Sequence, residues 1–285
     1  MRTRILSSLV GLGILAVVLI LLDTVFFNVI LFFISAMAIL ELLGAAGLQK
    51  FRFLNAVSLL FCLALMFQGM WPVRVHFACI CIVYVVALFL YQLARHDTLG
   101  IEQLCYAFCM TILITMSFYS MVLIKDIAGA QLAVFYLFLA LGSAWWADSG
   151  AYFAGTFFGK TKLCPAISPK KTVEGLVGGI VTAVLGNLLI CVLFQLVSTW
   201  LVPVGYFTRP VDIHISWVLL LTPPLSLLGV LGDLSASIIK RQYGIKDFGN
   251  IMPGHGGIMD RFDSVLFIIP AIFIIFNILP LISVI

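Results

Sequence analysis

The chain has 285 residues, of which 63% are hydrophobic and only 10% are charged, and its mean hydropathy is +1.21. Soluble domains carry about 25% charged residues, so this composition excludes an ordinary water-soluble globular domain and makes lipid the solvent. With so few charged residues present, each one is informative about membrane topology or about an active site.

About nine apolar runs follow one another, most of them near the roughly 20 helical residues that cross a bilayer core. They cover residues 5–22, 25–48, 54–70, 73–94, 104–124, 130–147, 175–201, 215–239 and 263–284. Because the runs lack strand alternation, the sequence predicts an all-α, polytopic transmembrane helical bundle. The runs 54–70 and 73–94 nearly touch, so one re-entrant pair is an alternative for them.

Basic residues predict the orientation, because short cytoplasmic loops carry an excess of lysine and arginine. A cytoplasmic N-terminus and nine spans place most of them inside: Arg2, Arg4, Lys50, Arg52, Arg95, Lys160, Lys162, Lys170, Lys171, Lys240, Arg241, Lys246 and Arg261. Arg74, Lys125 and Arg209 fall outside. So strong a bias supports both the span count and the orientation.

The two halves of the chain differ in their polar content. Residues 1–140 are spans joined by short loops, whereas residues 145–175 and 233–263 form polar, glycine-containing segments on the predicted cytoplasmic side. The sequence shows no internal repeat, so we expect a single membrane domain over residues 1–285. Its catalytic site is expected in residues 141–285.

Asp233 lies within an apolar run, where a charge costs several kcal/mol unless it is paired or solvated. On a helix, Asp233, Ser237 and Lys240 share one face, with the acid deeper than the lysine. This spacing indicates a polar seam that leads inward from the cytoplasm.

Asp260 and Asp263 are three residues apart at the predicted start of the last span, so they share nearly one helical face. Two like charges repel unless a cation joins them, and carboxylate oxygens suit a hard cation such as Mg²⁺. The alternative is structural: acids at a helix N-terminus complement the helix dipole, and Arg261 could pair with them.

The sequence assigns no definite functional role to two other acids, Asp148 and Glu41. Asp148 ends a predicted span between Trp146 and Tyr152, where a functional role and an interfacial role are both open. Glu41 is an isolated acid late in a span, and we expect a solvated or structural role for it.

Three polar segments could bind phosphate. Residues 159–163 and 168–175 offer lysines, hydroxyls and a helix start with free backbone N–H groups, although positive-inside sorting alone would also place lysines there. Residues 240–257 join the two acidic sites through a short loop, and their glycines and cations could accommodate a triphosphate. Because His255 lies among the glycines of this loop, we expect it to have a role in the site.

Residues 237–263 read S-x-x-K-R-x4-K-D-x-G-x5-H-G-G-x-x-D-R-x-D and resemble the signature of the phosphatidate cytidylyltransferase family. The segments S-P-K-K-T-x-E-G at 168–175 and A-D-S-G-A-Y at 147–152 are similar to two further family segments. The resemblance covers roughly residues 140–270. The N-terminal half resembles the family only in its general type, a series of apolar spans.

The resemblance implies Mg²⁺-dependent transfer of the cytidylyl group of CTP to phosphatidic acid, with a monovalent cation such as K⁺ as an additional cofactor. It implies that Asp233 and Asp260 bind the metal, and we add Asp263 as a further ligand. We expect catalytic roles also for Lys246 and Asp247. The expected substrate-binding residues are Ser168, Lys171, Thr172, Lys240, Arg241, His255, Arg261 and Asp148.

The expected partners are CTP, phosphatidic acid and the lipid bilayer, with no nucleic acid. The expected location is a bacterial cytoplasmic (inner) membrane, with the active site facing the cytoplasm. Gly155-x-x-x-Gly159 permits close helix packing, so a homodimer is an open alternative.

Two other functions remain as alternatives. A CTP-dependent lipid kinase would transfer the γ-phosphoryl group and release CDP. An ion-coupled transporter would use acids within the membrane to bind ions and would catalyse no reaction. Broken helices in both halves of the chain would favour a transporter, whereas the polar segments here cluster in one half.

Overall fold

The computed structural model describes residue 13 and residues 15–71, 75–251 and 256–284. After a helical stretch at residues 15–20, its α-helices are α1 Val25–Ala45, α2 Arg52–Met66, α3 Phe77–Ala94, α4 Ile101–Ala128, α5 Ala130–Phe158, α6 Val173–Leu201, α7 Ile215–Gln242, α8 Met259–Phe262 and α9 Val265–Ile278. Its strands are β1 Lys162–Cys164, β2 Ser168–Thr172, β3 Val211–Ile213 and β4 Ile282–Val284.

Six of these helices are long and apolar enough to cross a membrane, namely α1, α3, α4, α5, α6 and α7. Helices α2 and α9 are apolar but shorter. The prediction of a predominantly helical membrane protein is therefore confirmed, whereas the count of nine spans and the cytoplasmic N-terminus stay predictions. The expected span 5–22 falls largely outside the described residues, as do Arg2, Arg4 and Arg74.

Helix α5 is longer than predicted, and its extension moves Asp148 from a span end into the helix. The extension packs on α6 through small residues. A Cβ atom at Gly175 would lie 2.9 Å from the Ala151 carbonyl oxygen, so the two backbones approach too closely for a larger residue. This packing continues α5 past the point where the sequence becomes polar.

The last predicted span is interrupted. The short helix α8 ends at Phe262, α9 begins at Val265, and Asp263 lies in the turn between them. The Asp263 carboxylate accepts a hydrogen bond from the Ser264 backbone N–H at 2.8 Å, which competes with continuous helical bonding. The prediction of one continuous helix through Asp260 and Asp263 is therefore wrong.

The chain forms two compact units, and the first comprises residues 1–122 and 240–262. In this unit α1 packs on α2, α2 packs on α3, and α8 contacts α1. Asn28 donates a hydrogen bond to the Met66 carbonyl oxygen at 2.6 Å, and the hydroxyls of Ser58 and Tyr84 lie 3.1 Å apart. These hydrogen bonds satisfy polar groups for which lipid would offer no hydrogen-bond partner.

The second unit comprises residues 123–239 and 263–285. Helices α5 and α6 pack along most of their length, and α9 also packs on α5. At the centre of the unit, the buried Asn187 amide donates to the hydroxyls of Ser143 at 2.9 Å and Thr222 at 3.0 Å. This network links α6 to both α5 and α7.

Two small antiparallel sheets were not predicted. Strands β1 and β2 form a hairpin with Lys162 opposite Thr172, and β3 pairs with β4. Strands of three to five residues are too short for a period of two to be recognised in the sequence, and Pro169 argues against a strand at β2.

Candidate active site

A cavity of about 290 Å³ opens between α5, α6 and α7 in the second unit. Its polar lining consists of Asp148, Tyr152, Lys171, Thr172, Ser226 and Asp233, and the rest of its wall is glycine and apolar residues. Four residues that the sequence predicted for the site, Asp148, Lys171, Thr172 and Asp233, therefore line one cavity.

An ion pair between Lys171 and Asp233 dominates the electrostatics of this cavity. The Lys171 Nζ lies 2.5 Å from the Asp233 carboxylate, and about a quarter of each side chain is exposed. Within the described residues, Nζ makes no further hydrogen bond although it is buried. Because an ammonium group has three N–H donors, Lys171 retains donors for an anionic ligand.

The position of Lys171 is fixed by the start of helix α6. Thr172 is the N-cap, and its hydroxyl accepts a hydrogen bond from the Gly175 backbone N–H at 3.1 Å. The Glu174 carboxylate accepts hydrogen bonds from the backbone N–H groups of Lys160 and Thr161, both at 3.1 Å, which ties the entry of the hairpin to the same helix start. The predicted helix start in this segment is confirmed.

A second cluster surrounds Asp260 in the first unit. The side chain of Asp260 is only 4% exposed, and Lys240 Nζ lies 2.9 Å from its Oδ1 atom. Its Oδ2 atom accepts hydrogen bonds from the backbone N–H groups of Phe248 at 2.8 Å and Gly257 at 3.0 Å. One carboxylate thus holds three parts of the signature segment together.

The remaining predicted site residues have varied surroundings. Lys246, Asp247, Arg241 and Arg261 are exposed, Ser168 is half-buried at the start of β2, and Asp263 is buried at its turn. His255 lies outside the described residues. Burial also raises the pKa of Tyr243, which immediately follows α7.

The sequence predicted a solvated or structural role for Glu41 but did not predict its contact with the signature segment. Its carboxylate accepts hydrogen bonds from the backbone N–H groups of Ile258 at 3.0 Å and Met259 at 2.8 Å, inside the signature segment. The available signal was the one that singled out Asp233, an acid within an apolar run, but Glu41 has no neighbouring motif.

The carboxylates of the site fit a hard cation in their chemistry. The described residues contain no group of three or more His, Cys, Asp or Glu side chains that could hold a metal alone. Mg²⁺ commonly binds one or two carboxylates together with substrate phosphates. A carboxylate has about four lone-pair sites. Asp260 uses three of them in the bonds described above. Among the residues that the structure describes, Asp233 contacts only Lys171 and, at 3.5 Å, Ser237 through its carboxylate.

The six long apolar helices define a multi-pass integral membrane protein. The sequence model of the cytidylyltransferase family matches residues 2–279. A phosphatidate cytidylyltransferase of Bacillus subtilis (strain 168) is 35% identical over 281 residues, which cover 96% of this chain and 96% of the relative. The chain belongs to the cytidylyltransferase family, so the resemblance predicted from its motifs is confirmed and the chain is a nucleotidyltransferase.

Staphylococcal relatives are more similar over a shorter region. The phosphatidate cytidylyltransferase of Staphylococcus epidermidis strain RP62A is 44% identical over 137 residues, and that of Staphylococcus aureus strain COL is 46% identical over 139 residues. Each of these alignments covers 47% of this chain and 46% of the relative.

Proposed function

We propose that this chain transfers the cytidylyl group of CTP to phosphatidate, producing CDP-diacylglycerol and pyrophosphate. The observation that carries the proposal is the Lys171–Asp233 ion pair in a cavity whose remaining wall is largely apolar. A phosphate-bearing lipid needs both surfaces, a cation for its phosphate and an apolar wall for its glycerol and acyl groups. The names of the relatives and the family support the same substrates.

The reaction requires little proton transfer. A non-bridging oxygen of the phosphatidate phosphate attacks the α-phosphorus of CTP, the bond from this phosphorus to the β-phosphate oxygen breaks, and pyrophosphate leaves. Because the second pKa of a phosphomonoester is about 6, the nucleophile is already ionised near neutral pH. The harder task is to bring two anions together.

Lys171 is well placed for this task. Its ammonium group retains N–H donors and stands directly before the N-cap of α6, so it is held on a fixed backbone. A fixed cation in a site that excludes water stabilises charge on a phosphate more strongly than one in solution. The other substrate-binding residues in the proposal are Lys240, Arg241, Arg261, Ser168, Thr172, Asp148 and His255. Lys246 and Asp247 are proposed as catalytic residues together with Asp233 and Asp260.

Mg²⁺ is part of the proposal, with Asp233, Asp260 and Asp263 as its protein ligands. When bound, it would neutralise charge on the triphosphate and orient its leaving group. The oxygen chemistry and remaining acceptor capacity of Asp233 and Asp260 support this assignment. A monovalent cation such as K⁺ remains a secondary expectation from the resemblance.

We also propose that the protein resides in a bacterial cytoplasmic membrane with the site facing the cytoplasm, where CTP is available. The bacterial relatives and the lysines around the β1–β2 hairpin support this location. A homodimer stays a prediction from Gly155-x-x-x-Gly159.

The test is product analysis with two differently labelled nucleotides. The purified chain, in mixed micelles with phosphatidate and Mg²⁺, should move label from α-labelled CTP into the lipid fraction and release one pyrophosphate per lipid product. Label entering lipid from γ-labelled CTP, with CDP released, would instead identify a lipid kinase. Absence of both products from a folded preparation would overturn the proposal and favour a transporter.

A further inference from the structure

Glu41 is a buried acid in the apolar helix α1, and the mechanism above does not use it. The residue is 8% exposed, and both of its carboxylate oxygens accept hydrogen bonds from consecutive backbone N–H groups, those of Ile258 and Met259. These partners lie 217 and 218 positions away along the chain. The contact therefore joins a membrane helix to the signature segment within the first unit.

The neighbouring backbone is shaped around this carboxylate. A Cβ atom at Gly249 would lie 2.9 Å from Glu41 Cδ, and one at Gly257 would lie 2.5 Å from the same atom. Both distances are shorter than an ordinary carbon contact, so a side chain at either position would force the Glu41 carboxylate to move. Two glycines of the signature segment thus make room for an acid that lies outside it.

Residues 257–259, which contact Glu41, directly precede Asp260 in the chain. The Gly257 N–H donates to the Asp260 carboxylate, Ile258 and Met259 donate to Glu41, and Asp260 follows directly in α8. The backbone of residues 257–259 is thus held between two carboxylates. An acid within an apolar helix is costly unless it is satisfied, and here one backbone N–H group satisfies each carboxylate oxygen.

We propose that Glu41 is a positioning residue: its carboxylate fixes the backbone of residues 257–259 and thereby sets the orientation of the Asp260 carboxylate. The consequence for catalysis rests on the proposed function, in which Asp260 belongs to the reacting site. The consequence for the backbone does not.

Hydrogen–deuterium exchange tests the backbone consequence on the full-length free protein. In Glu41→Gln, the amide retains one acceptor oxygen but presents N–H donors where the second carboxylate oxygen was, so one backbone N–H loses its acceptor. Amides in the peptide covering residues 256–262 should exchange about tenfold faster, which corresponds to about 1.4 kcal/mol in local opening.

Kinetics test the catalytic consequence. In Glu41→Gln, kcat for CDP-diacylglycerol formation should fall by about tenfold or more while the KM for CTP changes by less than about threefold. This split is expected when a group acts on the transition state and leaves ground-state binding intact.

Two matched variants separate positioning from general destabilisation. Glu102→Gln makes the same substitution at an exposed acid of α4 in the same unit and should match the wild type in both measurements. Asn28→Ala removes another buried hydrogen bond of α1 and should lower the melting temperature without accelerating exchange at residues 256–262.

The positioning role would be overturned if residues 256–262 of Glu41→Gln exchanged at the wild-type rate, or if Asn28→Ala accelerated their exchange equally. It would also be overturned if Glu41→Gln exchanged faster but kept the wild-type kcat. If the wild-type protein makes no CDP-diacylglycerol at all, the proposed function fails while the exchange comparison still decides whether Glu41 holds this backbone.

Discussion

The Lys171 ammonium group and the Asp233 carboxylate lie 2.5 Å apart, at the cavity bounded by α5, α6 and α7. Lys171 comes from β2, just before α6, and Asp233 from the middle of α7. Each charge compensates the other in a surrounding that is largely apolar, so the cavity can hold a carboxylate and an ammonium group close to an anionic substrate. The predictions that follow begin from this pair.

Replacing Lys171 by Met should lower kcat/KM for CDP-diacylglycerol formation by roughly a hundredfold, because one fixed donor to a developing charge contributes on the order of 10²–10³ in rate. Steady-state kinetics in mixed micelles give the value. Lys170→Met is the control, since Lys170 is the exposed neighbour on the same strand, and it should stay within about threefold of wild type. Equal losses in the two variants would show that only general positive charge matters.

Replacing Asp260 by Asn should reduce turnover by about a hundredfold or more while the protein still inserts and purifies as a folded species. The amide can accept at one atom only, so either Lys240 or the Phe248 and Gly257 N–H groups would face another donor. Activity and gel filtration are measured together. Asp97→Asn, at an exposed acid, should behave as wild type, and near-normal activity of Asp260→Asn would contradict the metal assignment.

Thr172 should tolerate serine but not valine. Valine removes the hydroxyl that caps α6, which costs about 1 kcal/mol and should lower the melting temperature in detergent by roughly 2–4 °C. Activity should fall with it, because the cap fixes the backbone next to Lys171. Thr172→Ser retains the acceptor and should restore both properties; a serine variant as impaired as the valine variant would argue against the cap.

Gly179→Ala should destabilise the packing of α5 on α6. The added Cβ atom would lie 2.6 Å from the Ala147 carbonyl oxygen, and such overpacking costs about 1–3 kcal/mol. Thermal melting of the detergent-solubilised protein measures the effect. At Gly100 a Cβ atom meets nothing within 4 Å, so Gly100→Ala is the matched control and should leave the melting temperature unchanged.

Much of the site was recognisable from the sequence because charge is costly in lipid. Asp233 stood out within an apolar run, and Lys240 and Asp260 belong to the segment that resembles the family signature. The contact between Lys240 and Asp260 was not predicted, whereas the helix start at Thr172 follows the expectation from the sequence. Local spacing sufficed there because the residues lie within one short stretch of chain.

Other features depended on backbone packing and hydrogen bonding that hydrophobicity does not report. Helix α5 continues through Asp148 because small residues let it lie against α6, and the last span breaks at Asp263 because a side chain competes for a backbone N–H group. Neither outcome is encoded in hydrophobicity, which reports where a segment resides and not where its hydrogen bonds go.

The sequence by itself determined the membrane class and the cytidylyltransferase family, and it singled out Asp148, Lys171 and Asp233, the charged residues that line the cavity, because each follows from composition or from local spacing. Only the tertiary structure decided that Lys171 pairs with Asp233 and that Glu41 holds residues 258 and 259. These partners are far apart along the chain, and a contact between distant residues is fixed by how helices pack rather than by any pattern that a short segment can carry.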